Sequence, residues 1–296
     1  MDALPLPLPQ SPEFARACTA MGLPVRVCKR ARDSAVTLWW QVQSRRFGPL
    51  GHVDLVSRGP VARDATEAGD WLDGWRRWHG SAPLLLNATD LPAEALRAHG
   101  FWPLMTPATI ALLPLADRST MRAAMHQKWR NRLNRAETHG LRILRRPLNP
   151  AHWLLSAEAE QARSRGYRGL PPALSAAFAA VNPSGAWVFE ARHAGAPVAA
   201  ILILRHGQMA TWQIGVAHPE GRRLNAMNLL LWEAMGWLAD EGHETLDLGT
   251  LNTQDAPGLA RFKLGTGAEA QRQGGTWLHA GPLAPLARRL PLRLAA

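Results

Sequence analysis

Hydrophobic and polar positions along the chain switch between two periods. "SPEFARACTAMG" carries a short helical pattern, with Ser11 as its cap and Gly22 as its stop. The runs "VRVCKR", "AVTLWWQVQSRR" and "HVDLVSRGPV" then predict strands, because β-favouring residues recur between turn residues. Residues 65–79 return to a helical period that places Trp71, Trp75 and Trp78 on one side, and "APLLLNA" reads as a buried strand.

In "STMRAAMHQKWRNRLNRAETHG", Met121, Met125, Trp129 and Leu133 recur every four residues, which predicts one helix ending at Gly140. A strand-like "LRILRR" follows it. Further on, "AWVFEARH", "PVAAILILRH" and "MATWQIGVAH" predict three antiparallel strands turning at Gly195 and Gly207. The helix "MNLLLWEAMGWLADEG" and the strand "ETLDLG" then complete a β-α-β unit, and "PGLARFKLGTG" adds a short helix before a final strand. This alternation places the chain in the α/β class, with a first domain over 1–116, a second over 117–281 and a basic terminal tail over 282–296.

Composition removes several other classes. With 47% hydrophobic and 19% charged residues among 296, the chain has enough apolar material for packed cores. The uncharged stretch 98–116 contains Pro103, Pro107 and Pro114, which argues against a membrane span. Cys18 and Cys28 are too few for a zinc cluster or a disulfide framework; a reducing, cytoplasmic compartment is expected. The net charge of +11 is local: residues 117–146 hold nine Lys and Arg against Asp117 and Glu137.

Candidate chemistry gathers at three places. Arg122, Lys128, Arg130, Arg132 and Arg135 suit anion binding, an acidic membrane surface, or simply a solvated helix face. "HPEGRRLNAMN" lies between a predicted strand and helix, where Arg222, Arg223, Asn225 and Asn228 suit either an anionic donor or ordinary capping. The stretch "LDLGTLNTQDAPGLARFKLGTG" supplies Asp247 at a strand end, Thr250 and Asn252 in a loop, and Lys263 on a helix. Asp247 suits orientation or deprotonation of an amine, and Lys263 a developing oxyanion; a turn and an exposed helix residue are the plain alternatives. No H-E-x-x-H, P-loop or G-x-S-x-G run is present, so no metal is expected and metal-hydrolase, ATP-binding and serine-hydrolase chemistry are disfavoured.

Taken together, "HQKWRNRLNRAETHGLRI", "TWQIGVAHPEGRRLNAMNLLLWEAMGWLADEGHETLDLG" and "APGLARFKLGTG" resemble the FemAB-like branch of the GNAT acyltransferase superfamily, over about residues 117–279. The resemblance implies two GNAT-like units, the first degenerate, with mostly antiparallel mixed sheets flanked by helices. It also implies transfer of an acyl or aminoacyl group from acyl-CoA, such as acetyl-CoA, or from aminoacyl-tRNA to an amine, such as that of a peptidoglycan precursor. On residue matching, Lys263 is similar to the lysine of the family's Phe-Lys motif, and Asp247 and Gly249 to its Asp-x-Gly strand end. Arg222, Arg223, Asn225 and Asn228 are then expected at the donor; Trp212, Thr250, Asn252, Lys128 and Arg132 are expected at the substrate. "EGRRLNA" departs from the usual GNAT pyrophosphate loop. The alternative is a non-catalytic adaptor on the same scaffold, binding RNA or a cell surface through its basic residues.

Overall fold

A computed structural model describes residues 4–46, 51–167 and 169–289, so the end of the basic tail, 290–296, lies outside the described residues. Two compact units result, one formed by 1–109 with 272–296 and the other by Ile110–Gln271. The strands are β1 (Val25–Arg32), β2 (Ala35–Arg46), β3 (His52–Ser57), β4 (Val61–Ala62), β5 (Leu84–Ala88), β6 (Trp102–Met105) and β7 (Thr109–Pro114). They continue with β8 (Arg142–Pro147), β9 (Ala186–His193), β10 (Ala196–His206), β11 (Met209–Ala217), β12 (Thr245–Thr250), β13 (Glu269–Arg272) and β14 (Gly275–His279). The helices that matter below are α1 (Pro12–Ala20), α2 (Ala65–His79), α3 (Ala93–Ala98), α4 (Arg118–Ala124), α5 (Gln127–Thr138), α6 (Trp153–Arg165), α7 (Pro172–Val181), α8 (Pro219–Arg223), α9 (Ala226–Asp240) and α10 (Pro257–Leu264).

The first unit carries a sheet in the order β1-β2-β3-β5-β14-β6, with β4 beside β2. The meander β1-β2-β3 is antiparallel, and the crossover through α2 makes β3 and β5 parallel. Trp71 and Trp75 of α2 are buried with Trp40, Leu84, Leu86, Phe101 and Trp277, as the tryptophan spacing predicts. The sequence extends the second domain to residue 281, but β14 pairs with β5 and β6 of the first sheet. Such pairing between distant segments leaves no local pattern to read.

The second unit repeats the plan in a sheet ordered β13-β7-β12-β11-β10-β9-β8. Strands β9, β10 and β11 form the expected antiparallel series, and α9 returns the chain so that β12 runs parallel to β11. Two mixed sheets, each flanked by helices, establish the mixed α/β class. The single helix predicted from Ser119 to its stop at Gly140 is two helices: Met125 is extended, and His126 N–H donates to the Gly265 carbonyl oxygen at 3.0 Å. The four-residue apolar stripe survives the break, since Met121, Met125, Trp129 and Leu133 are all buried.

Candidate active site

Strands β11 and β12 share only three register pairs, ending at Thr211 opposite Asp247. Just beyond that point both strands carry irregularities. Against β10, Leu202 and Ile203 pair with Ile214 and Trp212, leaving Gln213 as an extra residue. Against β7, β12 skips from Asp247 to Gly249. Bulges bend and twist their strands, so two of them side by side open the sheet at Asp247. In the first unit the corresponding β3–β5 pairing continues beyond its last register pair. Gly59 N–H donates to the Asn87 carbonyl oxygen at 3.2 Å, and Thr89 Oγ1 donates to that of Pro60 at 3.1 Å.

Asp247 and Lys263 meet at the opening. Asp247 is 1% exposed, and its Oδ1 accepts from Gly249 N–H at 2.7 Å. Gly249 has φ +78°, a conformation that favours glycine, and it passes close to the Lys263 ammonium: a Cβ there would lie 3.6 Å from Nζ. Lys263 is 7% exposed and donates from Nζ to the Thr250 carbonyl oxygen at 2.8 Å. Burial pulls its pKa down to about 8, although the Asp247 charge pulls the other way. Opposite Asp247, the hydroxyl of Thr211 shares a 2.8 Å hydrogen bond with buried His206 Nε2.

A row of rings flanks this centre. Trp129 of α5 lies 5.8 Å from Phe262, and Phe262 lies 5.9 Å from Trp212 of β11. Two glycines make room for it: a Cβ on Gly265 would meet Trp129 at 2.8 Å, and one on Gly215 would meet Trp212 at 2.7 Å and Met227 at 2.9 Å. Trp212 therefore reaches from Phe262 towards the start of α9. The helical stripe marks Trp129 for packing, but its meeting with Phe262 and Gly265, far away in the sequence, has no local signal.

At the start of α9, Asn225 is left-handed (φ +53°) and gives no side-chain cap, so the first-turn N–H groups lack that partner. Asn228 is 4% exposed, and its Nδ2 has no partner among the described residues. A buried amide donor left open at a helix start, whose dipole favours negative charge, suits an anionic group. Arg222 is exposed nearby in sequence, whereas Arg223 is held by both carboxylate oxygens of Glu220, at 2.8 and 3.2 Å. Gly221 serves packing: a Cβ on it would lie 2.2 Å from the Val198 carbonyl oxygen.

The side chains of the remaining candidates make other contacts or are exposed. Asn252 closes its own loop, accepting from Gln254 and Asp255 N–H and donating to the Asp255 carboxylate. Thr250 takes part through its main-chain oxygen. Lys128 and Arg132 are exposed on α5, one turn apart, while Trp129 and Leu133 point into the core. Arg122 is engaged: it makes a two-pronged pair with Glu137 at 2.8 and 2.9 Å, bonds Asn134 at 2.7 Å and lies 5.5 Å from the Trp232 ring centroid.

A family model described as an acetyltransferase (GNAT) domain matches residues 121–270, just over half of the chain. The chain belongs to this GNAT acetyltransferase-domain family. The match covers β8 to β12, α9 and the Asp247–Lys263 pair, so acyl transfer is the general chemistry to which this GNAT chain relates. Among solved structures, the chain is similar to that of FemX, at 15% identity and TM-score 0.75, over 96% of this chain and 95% of that one. It is also similar to L-PGS from Bacillus licheniformis, at 12% identity and TM-score 0.52 over 100% and 98% of the two chains. A tandem GNAT protein from the clavulanic acid biosynthesis pathway matches at 14% identity and TM-score 0.51, over 87% and 83%. These identities speak for a shared fold. No curated protein sequence matches the chain.

Proposed function

We propose that the second unit transfers an acyl or aminoacyl group from an anionic, activated donor to an amine, without a covalent enzyme intermediate. The observation that carries this reading is the buried Asp247–Lys263 pair at the point where β11 and β12 part, within a GNAT domain. The donor's negative groups lie towards the start of α9, at the open Asn228 amide and Arg222. Acyl-CoA and aminoacyl-tRNA both carry such groups, and the FemAB-like resemblance keeps both as donors. The amine attacks the donor carbonyl, a C–N bond forms, and the C–S or C–O bond to the leaving group breaks. Asp247 orients the amine and takes the proton that its nitrogen sheds. Lys263, while protonated, steadies the negative charge on the carbonyl oxygen.

The test is mass addition to an amine panel that includes peptidoglycan precursors, with acyl-CoAs and charged tRNAs as donors. Donor-dependent addition that is lost in both Asp247→Asn and Lys263→Ala, with folding and donor binding retained, supports the reading. Unchanged transfer in the double variant overturns these roles. Salt-sensitive RNA binding with no consumption of any donor favours the adaptor instead.

A further inference from the structure

The second unit holds a cavity of about 210 Å³ against the C-terminal half of α9. Asp240 on its wall lies roughly 18 Å along the helix from Asn228, at 1.5 Å per residue. Drug-sized pockets span roughly 300–1,000 Å³, so this one suits a small molecule. Its apolar lining is the half-buried Ile143, backed by the buried rings of Trp237 and Phe189, with centroids 5.6 Å apart. Arg118, Arg145, Glu233 and Asp240 supply its charge.

Both guanidinium groups are held before any ligand arrives. Arg145 lies 4.8 Å from the Trp237 ring centroid and 5.6 Å from that of Trp187. Arg118 lies 5.2 Å from the Trp232 ring centroid and against Gly236, where any Cβ would collide with its guanidinium. Stacking of this kind fixes the planar fork and removes much of the ordering cost of binding. Arg118 is committed to Glu233 at 3.5 Å. Among the described residues, Arg145 and Asp240 have no ion-pair partner. The cavity therefore presents one positioned cation and one carboxylate, both uncommitted, beside a small apolar surface, with no net charge.

We propose that this cavity binds a free aliphatic α-amino acid as the zwitterion. The ligand carboxylate pairs with Arg145, its ammonium with Asp240, and its side chain lies against Ile143, the partly open member of the apolar lining. A simple anion meets two carboxylates here, and a simple amine meets two guanidinium groups. Only a ligand with both charges and a small apolar group satisfies every wall. The site is separate from the transfer centre and stands whether or not transfer occurs. Its solvent-open charges make the binding weak and salt-sensitive.

An NMR titration of the full chain with leucine, N-acetylleucine and leucinamide tests this. Leucine is expected to move amide signals of β8 and the second half of α9, including in Lys263→Ala. Each blocked ligand, lacking one charge, is expected to bind at least about tenfold more weakly. Arg145→Ala and Asp240→Asn are expected to weaken leucine binding to a similar degree. The blocked ligands test the same point in the unaltered protein, independently of any folding defect. Equal binding of leucine and either blocked form overturns the proposal, as do shifts confined to the Asp247–Lys263 centre or no shifts at millimolar leucine.

Discussion

The Lys263 ammonium is tied to the main-chain oxygen of Thr250 at 2.8 Å, so the strand end that opens away from β11 also fixes a buried cation beside Asp247. The tie orients the lysine without neutralising it. Burial brings its deprotonation to about pH 8, within the range of ordinary assays.

Transfer that uses the protonated lysine is expected to fall as pH rises through about 8. A pH–rate profile checks this, and Lys263→Ala is expected to lose about 10²–10³ in kcat, as removal of an oxyanion donor does. The unfolded lysine titrates near 10.4, so between about pH 8 and 10.4 the unfolded chain binds more protons and stability rises with pH. The cost of the buried charge, roughly 3 kcal/mol, is present in full below pH 8. In urea denaturation, Lys263→Met is expected to be most favourable relative to wild type at pH 7, with its advantage shrinking towards pH 10.

Asn228 separates stability from donor binding. Its side-chain nitrogen is buried without a partner among the described residues, so Asn228→Ala removes an uncompensated donor. Denaturation midpoints are expected to change little, while the KM for an anionic donor rises several-fold. A large loss of stability with unchanged KM would place the residue in packing alone.

Two glycines with opposite surroundings test the role of α8. On Gly221 a Cβ would lie 2.2 Å from the Val198 carbonyl oxygen, a backbone atom that cannot swing aside. Gly221→Ala is expected to cost about 2–3 kcal/mol by overpacking. Gly69 in α2 has open space around its Cβ position, so Gly69→Ala is expected to gain about 0.5–1 kcal/mol. Thermal melts of both variants read the contrast.

The basic helices divide by partner. Arg122 pairs with Glu137 and lies over Trp232, so Arg122→Gln is expected to lower stability by about 1 kcal/mol and leave polyanion binding nearly unchanged. Lys128 and Arg132 are exposed on one face of α5. If RNA docks there, their joint reversal to Glu reduces the slope of log affinity against log salt without shifting the melting temperature. An unchanged slope makes that face a solvated one.

Local periodicity was enough to indicate many of the strands and helices and much of the core. The positions of Met121, Met125, Trp129 and Leu133 announce burial because a helical face repeats every few residues. The β11–α9–β12 unit follows from the same kind of pattern, and Asp247 and Lys263 were named from sequence motifs. Tertiary structure alone decided how these pieces meet. His126 breaks the basic helix because its N–H finds the Gly265 oxygen, and β14 joins the first sheet because its partners are there. Paired bulges at Gln213 and Leu248 open the sheet where Asp247 lies. The cluster read as one positive surface resolves into the engaged Arg122 and the exposed Lys128 and Arg132. Periodicity records which side of an element is apolar; hydrogen-bond partners, bulges and counter-charges come from other parts of the chain, so only the folded arrangement determines them.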